Sequence, residues 1–86
     1  MSDWDLLDER EQAVLTAMGK TRAMIHDPIG LARQLGWSWQ RVVRVMKPLE
    51  TFRLVRVRRH TKMTIYELTP DGEKALAQRD GTVGTG

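Results

Sequence analysis

Apolar residues recur along this chain at two spacings. Val14, Leu15 and Met18 stand three and four apart, and so do Val42, Val45, Met46 and Leu49; each set marks one face of a helix. From residue 54 the spacing shortens. Leu54-Val55-Arg56-Val57-Arg58-Arg59 and Met63-Thr64-Ile65-Tyr66-Glu67-Leu68 alternate apolar with polar residues and are rich in β-branched and aromatic side chains. That is the pattern of two strands, with His60-Thr61-Lys62 as the turn of a hairpin. The alternation puts Val55 and Val57 with Tyr66 and Leu68 against the helices, and Arg56 and Arg58 with Ile65 and Glu67 toward solvent.

The helix ends are written in local chemistry. Asp8 and Glu11 match a capping box, so a first helix is predicted from Asp8 to a stop at Gly19, with Asp3–Leu7 as an added turn. Asp27-Pro28 predicts the next start, with Asp as N-cap and Pro at the first helical position. Ile29, Leu31, Ala32 and Leu35 supply its apolar positions, and Gly36 its stop. Ser38 caps a third helix running from Trp39 to about Phe52, after a turn of only three residues, Gly36-Trp37-Ser38. Pro48 lies inside this helix and removes the hydrogen bond to the carbonyl of Arg44, so a bend is expected that keeps Leu49 and Phe52 on the core. A short strand is expected at Arg22–Met24. Thr69-Pro70 opens a last helix with Ala75 and Leu76 inward, and the tail 81–86, Gly-Thr-Val-Gly-Thr-Gly, is expected to be disordered.

These elements give an α+β domain over residues 1–80: a three-helix core, a two-stranded hairpin and a C-terminal helix, the order of a winged helix-turn-helix. With 86 residues there is room for one core, and no apolar run is long enough for a membrane span. The acidic start Met1-Ser2-Asp3-Trp4-Asp5 is unlike a signal peptide, so a cytoplasmic protein is expected. Cysteine is absent, which excludes disulfides and a thiolate nucleophile. His26 and His60 are the only histidines and lack metal-ligand spacing. Neither a Ser/His/Asp arrangement nor a phosphate-binding glycine loop is present. No cofactor, no metal and no enzymatic activity is expected. Met18, Met24, Met46 and Met63 read as filler for core or interface.

Charge sharpens this picture by position. The net charge is +3, but residues 1–12 carry −4 while residues 33–62 carry +8. A basic middle that falls on the third helix and the hairpin points to a polyanion. In a helix-turn-helix the first helix of the pair braces the second, which fits the DNA major groove. Arg41 and Arg44 suit bidentate contacts to guanine and Lys47 suits phosphate; Gln40 can read adenine, and Ser38, Trp39 and Val43 lie on the same approach. Arg56, Arg58, Arg59, His60 and Lys62 would hold phosphate or minor groove from the wing. The plainer reading of the wing cations is charge that protects an edge hairpin from aggregation.

The stretch Leu31-Ala32-Arg33-Gln34-Leu35-Gly36-Trp37-Ser38, followed by Val42, Met46, Leu49-Glu50 and Leu54-Val55, resembles the winged-helix regulators of bacteria and archaea of the broad MarR, ArsR and PadR kind. The segment Tyr66-Glu67-Leu68-Thr69-Pro70-Asp71-Gly72 is similar to their exit from strand to helix. The resemblance covers about residues 8–78. It implies a sequence-selective double-stranded DNA-binding transcription regulator. A homodimer is expected from the thin core of so short a chain and from Trp4, Leu7 and Leu76 on the terminal segments. Two departures stand out. Arg53 replaces the glycine usual before the wing, and Trp37 fills a turn position usually held by a smaller aliphatic residue. The alternative is a winged-helix protein-interaction module within a larger nucleoprotein assembly, a replication, polymerase or defence complex.

Overall fold

Each predicted helix start is realised by its own side chains. In the computed structural model, which describes residues 3–20 and 26–79, Asp8 and Glu11 close the capping box reciprocally. Glu11 N–H donates to Asp8 Oδ1 and Asp8 N–H to Glu11 Oε1, both at 2.8 Å. They open α1, Glu9–Lys20, preceded by a 3-10 helix, Asp3–Leu6. The helix runs through Gly19 rather than stopping there, and Gly19 lies against Leu76. Asp27 accepts from Gly30 N–H at the head of α2, Pro28–Leu35. Gly36 ends it in the left-handed conformation at φ 72°, which glycine adopts without a Cβ penalty. Ser38 accepts from Arg41 N–H and starts α3, Trp39–Thr51.

Helix α3 continues through Pro48 as one element, so the proline neither ends it nor begins a separate turn. The pyrrolidine still leaves the Arg44 carbonyl without its intrahelical donor. After Phe52, Arg53 takes φ 63° and turns the chain into the hairpin. The strands are β1, Val55–His60, and β2, Met63–Leu68, antiparallel with Val55 opposite Leu68 and Val57 opposite Tyr66. His60 pairs with Met63 and so belongs to the ladder, not the turn, which is reduced to Thr61-Lys62. His26 makes an isolated bridge to Tyr66, donating to its carbonyl at 2.9 Å and accepting from its N–H at 2.7 Å. Helix α4 is Pro70–Arg79, capped by Thr69, whose hydroxyl accepts from Gly72 N–H. The strand expected at Arg22–Met24, with Met24 itself, and the tail 81–86 lie outside the described residues.

The core collects the predicted stripes. Val14, Leu15 and Met18 of α1 meet Leu31 of α2 and Val42, Met46 and Leu49 of α3, with Val55 and Tyr66 closing it from the hairpin. Fully burying side chains of this size contributes about 1.5–3 kcal/mol each. Several expectations are corrected here. Ile29 is exposed, because it sits about a third of a turn off the stripe made by Leu31, Ala32 and Leu35. Phe52, expected on the core, is exposed, and so is Met63, since among the described residues no element covers the end of α3 or the hairpin tip. Leu7 is buried inside the domain, and Trp4 and Leu76 pack on the core. Leu7 therefore serves this chain's own packing, while Trp4 and Leu76, half-buried, keep part of their surface outside.

A three-way lock holds the hairpin's entry against its exit. Arg53 carbonyl accepts from the Thr69 hydroxyl at 2.6 Å, and Leu54 carbonyl from Thr69 N–H at 3.1 Å. Both bonds use the Arg53 corner through its backbone, so its side chain is not required. An L-residue in the left-handed region costs roughly 1–2 kcal/mol, which glycine escapes at some cost in unfolded-chain entropy. Arg53→Gly is therefore expected to stabilise the fold by roughly 1 kcal/mol, read as a raised urea midpoint at unchanged m-value. A lowered midpoint would mean that the Arg53 side chain has a packing role.

Candidate nucleic-acid interface

Burial of Val42, Val45, Met46 and Leu49 fixes which side of α3 is left outside. Gln40, Arg44 and Lys47, spaced i, i+4 and i+7, form an exposed stripe, and Val43 beside it is half-buried. Trp39 in the first turn is 53% exposed. Ser38 is exposed, and its hydroxyl is engaged as the cap. Arg41 is held from below: its guanidinium carbon stands 5.9 Å from the centroid of the Trp37 ring, within cation–π reach. Trp37 is itself half-buried against the core. The large residue in the three-residue turn thus props an arginine of the candidate reading helix, a link that sequence spacing alone did not supply.

The wing cations divide between two faces. Strand alternation places Arg59 on the helix side with Val55 and Val57, and Arg56, Arg58 and His60 on the other. Electrostatics agrees for Arg59. Burial pushes the Tyr66 phenol above its ordinary value; the Arg59 charge pulls it down and the Glu50 carboxylate, at the end of α3, pushes it further up. On the outer face Arg58 Nε meets Glu67 Oε1 at 2.7 Å. That ion pair is part-exposed and contributes little to stability, but it occupies Arg58. Arg56, His60 and Lys62 are exposed, Lys62 at the tip.

A groove of about 460 Å³ joins the wing tip to the start of both helices of the pair. Asp27 and Ile29 of the α2 start, Trp39 of α3, and Lys62, Met63 and Thr64 of the hairpin line it. Ile29 and Met63 were not anticipated at a functional surface. A helical projection would have set Ile29 off the core stripe, but nothing in the sequence signals that Met63 and Trp39 share a groove. A second groove, of about 410 Å³, lies at the other end of α3, where Leu6 and Phe52 are exposed between Asp3 and Asp71. Among the described residues no group of three or more His, Asp or Glu side chains is placed to hold a metal ion. No helix among them is long and apolar enough to cross a membrane.

No protein-family model and no curated protein matches the sequence. Solved structures do match the fold. BpsR of Bordetella bronchiseptica, whose DNA binding is regulated by 6-hydroxynicotinic acid, superposes with a TM-score of 0.78 at 19% identity, over 92% of this chain and 56% of that one. The transcriptional regulator BldR of Sulfolobus solfataricus gives 0.74 at 22% identity, over 93% and 58%. ZitR of Lactococcus lactis, solved in complex with DNA, gives 0.67 at 20% identity, over 99% and 62%. This chain spans a little over half the length of those chains. At such identities the likeness is one of architecture, and it establishes for this chain the winged helix-turn-helix fold that its sequence predicted.

Proposed function

We propose that this protein binds double-stranded DNA with sequence selectivity and regulates transcription, acting in the cytoplasm as a homodimer. The observation that carries the reading is the exposed stripe Gln40, Arg44 and Lys47 on a helix braced by a capped three-residue turn, with the wing tip beside its first turn. A major groove ~12 Å wide admits such a helix. Arg44, at the middle of the stripe, would take guanine; Gln40 and Lys47 would take adenine and phosphate; Ser38, Trp39 and Val43 would approach sugars and thymine methyls. Arg41, propped on Trp37, and Arg59 and Lys62 on the wing would grip phosphate on the near side. Arg56, Arg58 and His60 would meet the backbone only if it wraps to the outer face of the hairpin. The regulators of like fold, one of them solved on DNA, support the reading.

The test is selection from random duplex DNA followed by Arg44→Ala. The substitution is expected to cost about 1–3 kcal/mol on the selected site and to relax preference at one or two base pairs. Arg58→Ala is expected to cost less on every sequence, because Glu67 already neutralises Arg58. Equal losses for Arg44→Ala on selected and random duplexes would remove the base-reading role. A second reading, an interaction module in a larger nucleoprotein assembly, draws support from Leu6 and Phe52, 65% and 54% exposed in one groove at the far end of α3. Absence of duplex binding at low salt would favour it.

A further inference from the structure

Three of the five large hydrophobics exposed among the described residues converge on the groove between α2, α3 and the wing tip: Ile29 at 57%, Trp39 at 53% and Met63 at 58%. Scattered exposed hydrophobics need no explanation, but three around one cleft do. The cleft sits among the residues assigned above to DNA, yet it is a poor phosphate site, with one cation, Lys62, against one carboxylate, Asp27. Its chemistry is that of a nucleotide taken apart. The uncovered indole of Trp39, in a groove that Ile29 and Met63 also line, offers a surface for the flat face of a base. Lys62 stands by for the adjoining phosphate. Asp27, which uses Oδ1 to cap α2, presents a carboxylate to an exocyclic amino group. A base exposes its face only when unstacked from its neighbours, and stacking on an aromatic side chain then supplies affinity that any base can draw on.

We infer that this groove accepts one unstacked base of a DNA strand held between α3 and the wing, so that the protein prefers DNA with an unpaired nucleotide over fully paired duplex. The inference rests on the DNA-binding reading and adds a ligand class to it. Bases bearing an amino group, as in adenine or cytosine, suit Asp27 better than thymine does.

The experiment measures fluorescence anisotropy of the full chain with one duplex, the same duplex carrying a single extra adenine, and the unpaired strand. About tenfold tighter binding to the bulged duplex is expected. Ile29→Ser, at an exposed position outside the assigned DNA contacts, should abolish that preference while leaving affinity for paired duplex unchanged. Trp39→Ala should abolish it too, and Trp39→Phe should retain most of it. Circular dichroism confirms that each variant is folded. Equal affinity for paired and bulged duplex, with no effect of Ile29→Ser, overturns the inference and leaves the duplex reading intact. Binding to bulged or single-stranded DNA alone, lost in Ile29→Ser, upholds the inference and overturns the duplex reading. Binding to none of the three overturns both.

Discussion

Affinity for duplex DNA is expected to fall by roughly 300-fold between about 50 and 200 mM salt, with a log–log slope of about −4 per protomer. The cations placed to reach phosphate are Arg41 and Lys47 on α3 and Arg59 and Lys62 on the near side of the wing, with Arg56 joining them where the DNA backbone wraps to the outer face; Arg44 is kept for the base. Neutralising about four or five phosphates releases their condensed counterions, each adding close to −0.9 to the slope. Arg58 is left out of this set because Glu67 holds it. Arg59→Ala and Lys62→Ala should each bring the slope nearer zero by about 1, whereas Arg58→Ala should change it by less than half of that. The ion pair distinguishes these cases, since a cation with a carboxylate beside it releases fewer counterions. A slope near zero would mean that the +8 charge of residues 33–62 is not a phosphate-binding surface.

Gly72→Ala is expected to destabilise the fold by about 3 kcal/mol or more, measured by urea denaturation. A Cβ at this position would lie far inside contact distance of the Leu54 carbonyl oxygen, and 3.1 Å from Leu68 Cδ2. The oxygen belongs to backbone that also accepts from Thr69 N–H, so it cannot swing aside as a side chain could. Relief would require α4 to move off the hairpin, breaking the Thr69 cap and the bond from Thr69 to Arg53 together. A domain of this size is expected to have a total stability of only about 4–13 kcal/mol, so the loss is a large part of the whole. Glu73→Ala, one residue along and exposed, serves as the control and should change stability by no more than about 0.5 kcal/mol. If the two variants have the same midpoint, the contact with Leu54 is not rigid. Should Gly72→Ala fail to fold, the milder Thr69→Ala tests the same lock, with an expected cost of about 1 kcal/mol for the cap.

Much of the candidate site was legible because α3 is legible. Its exposed residues follow by subtraction once Val42, Val45, Met46 and Leu49 claim the inner face, and the wing cations follow from strand alternation. What was not legible is the company these residues keep. Trp37 and Arg41 are only four apart, but the turn between them has no fixed projection, so their ring contact is a product of the folded turn. Arg58 and Glu67 meet diagonally across the ladder, a pairing that depends on the register of the two strands, and His60 joins that ladder where it was expected in the turn.

The sequence by itself determined the helix starts, the helix-turn-helix spacing, the hairpin and the main core stripes. All of these depend on residues within a few positions of one another: Asp8 with Glu11, Asp27 with Gly30, Ser38 with Arg41, Thr69 with Gly72. The tertiary structure alone decided which apolar residues at the margins of those stripes are covered. Leu7 is sealed against the core while its neighbour Leu6 is open; Ile29, Phe52 and Met63 remain outside. Burial at such positions depends on whether an element distant in sequence arrives to cover them. A groove lined by residues 29, 39 and 63 exists only after the hairpin has folded back beside the helix pair.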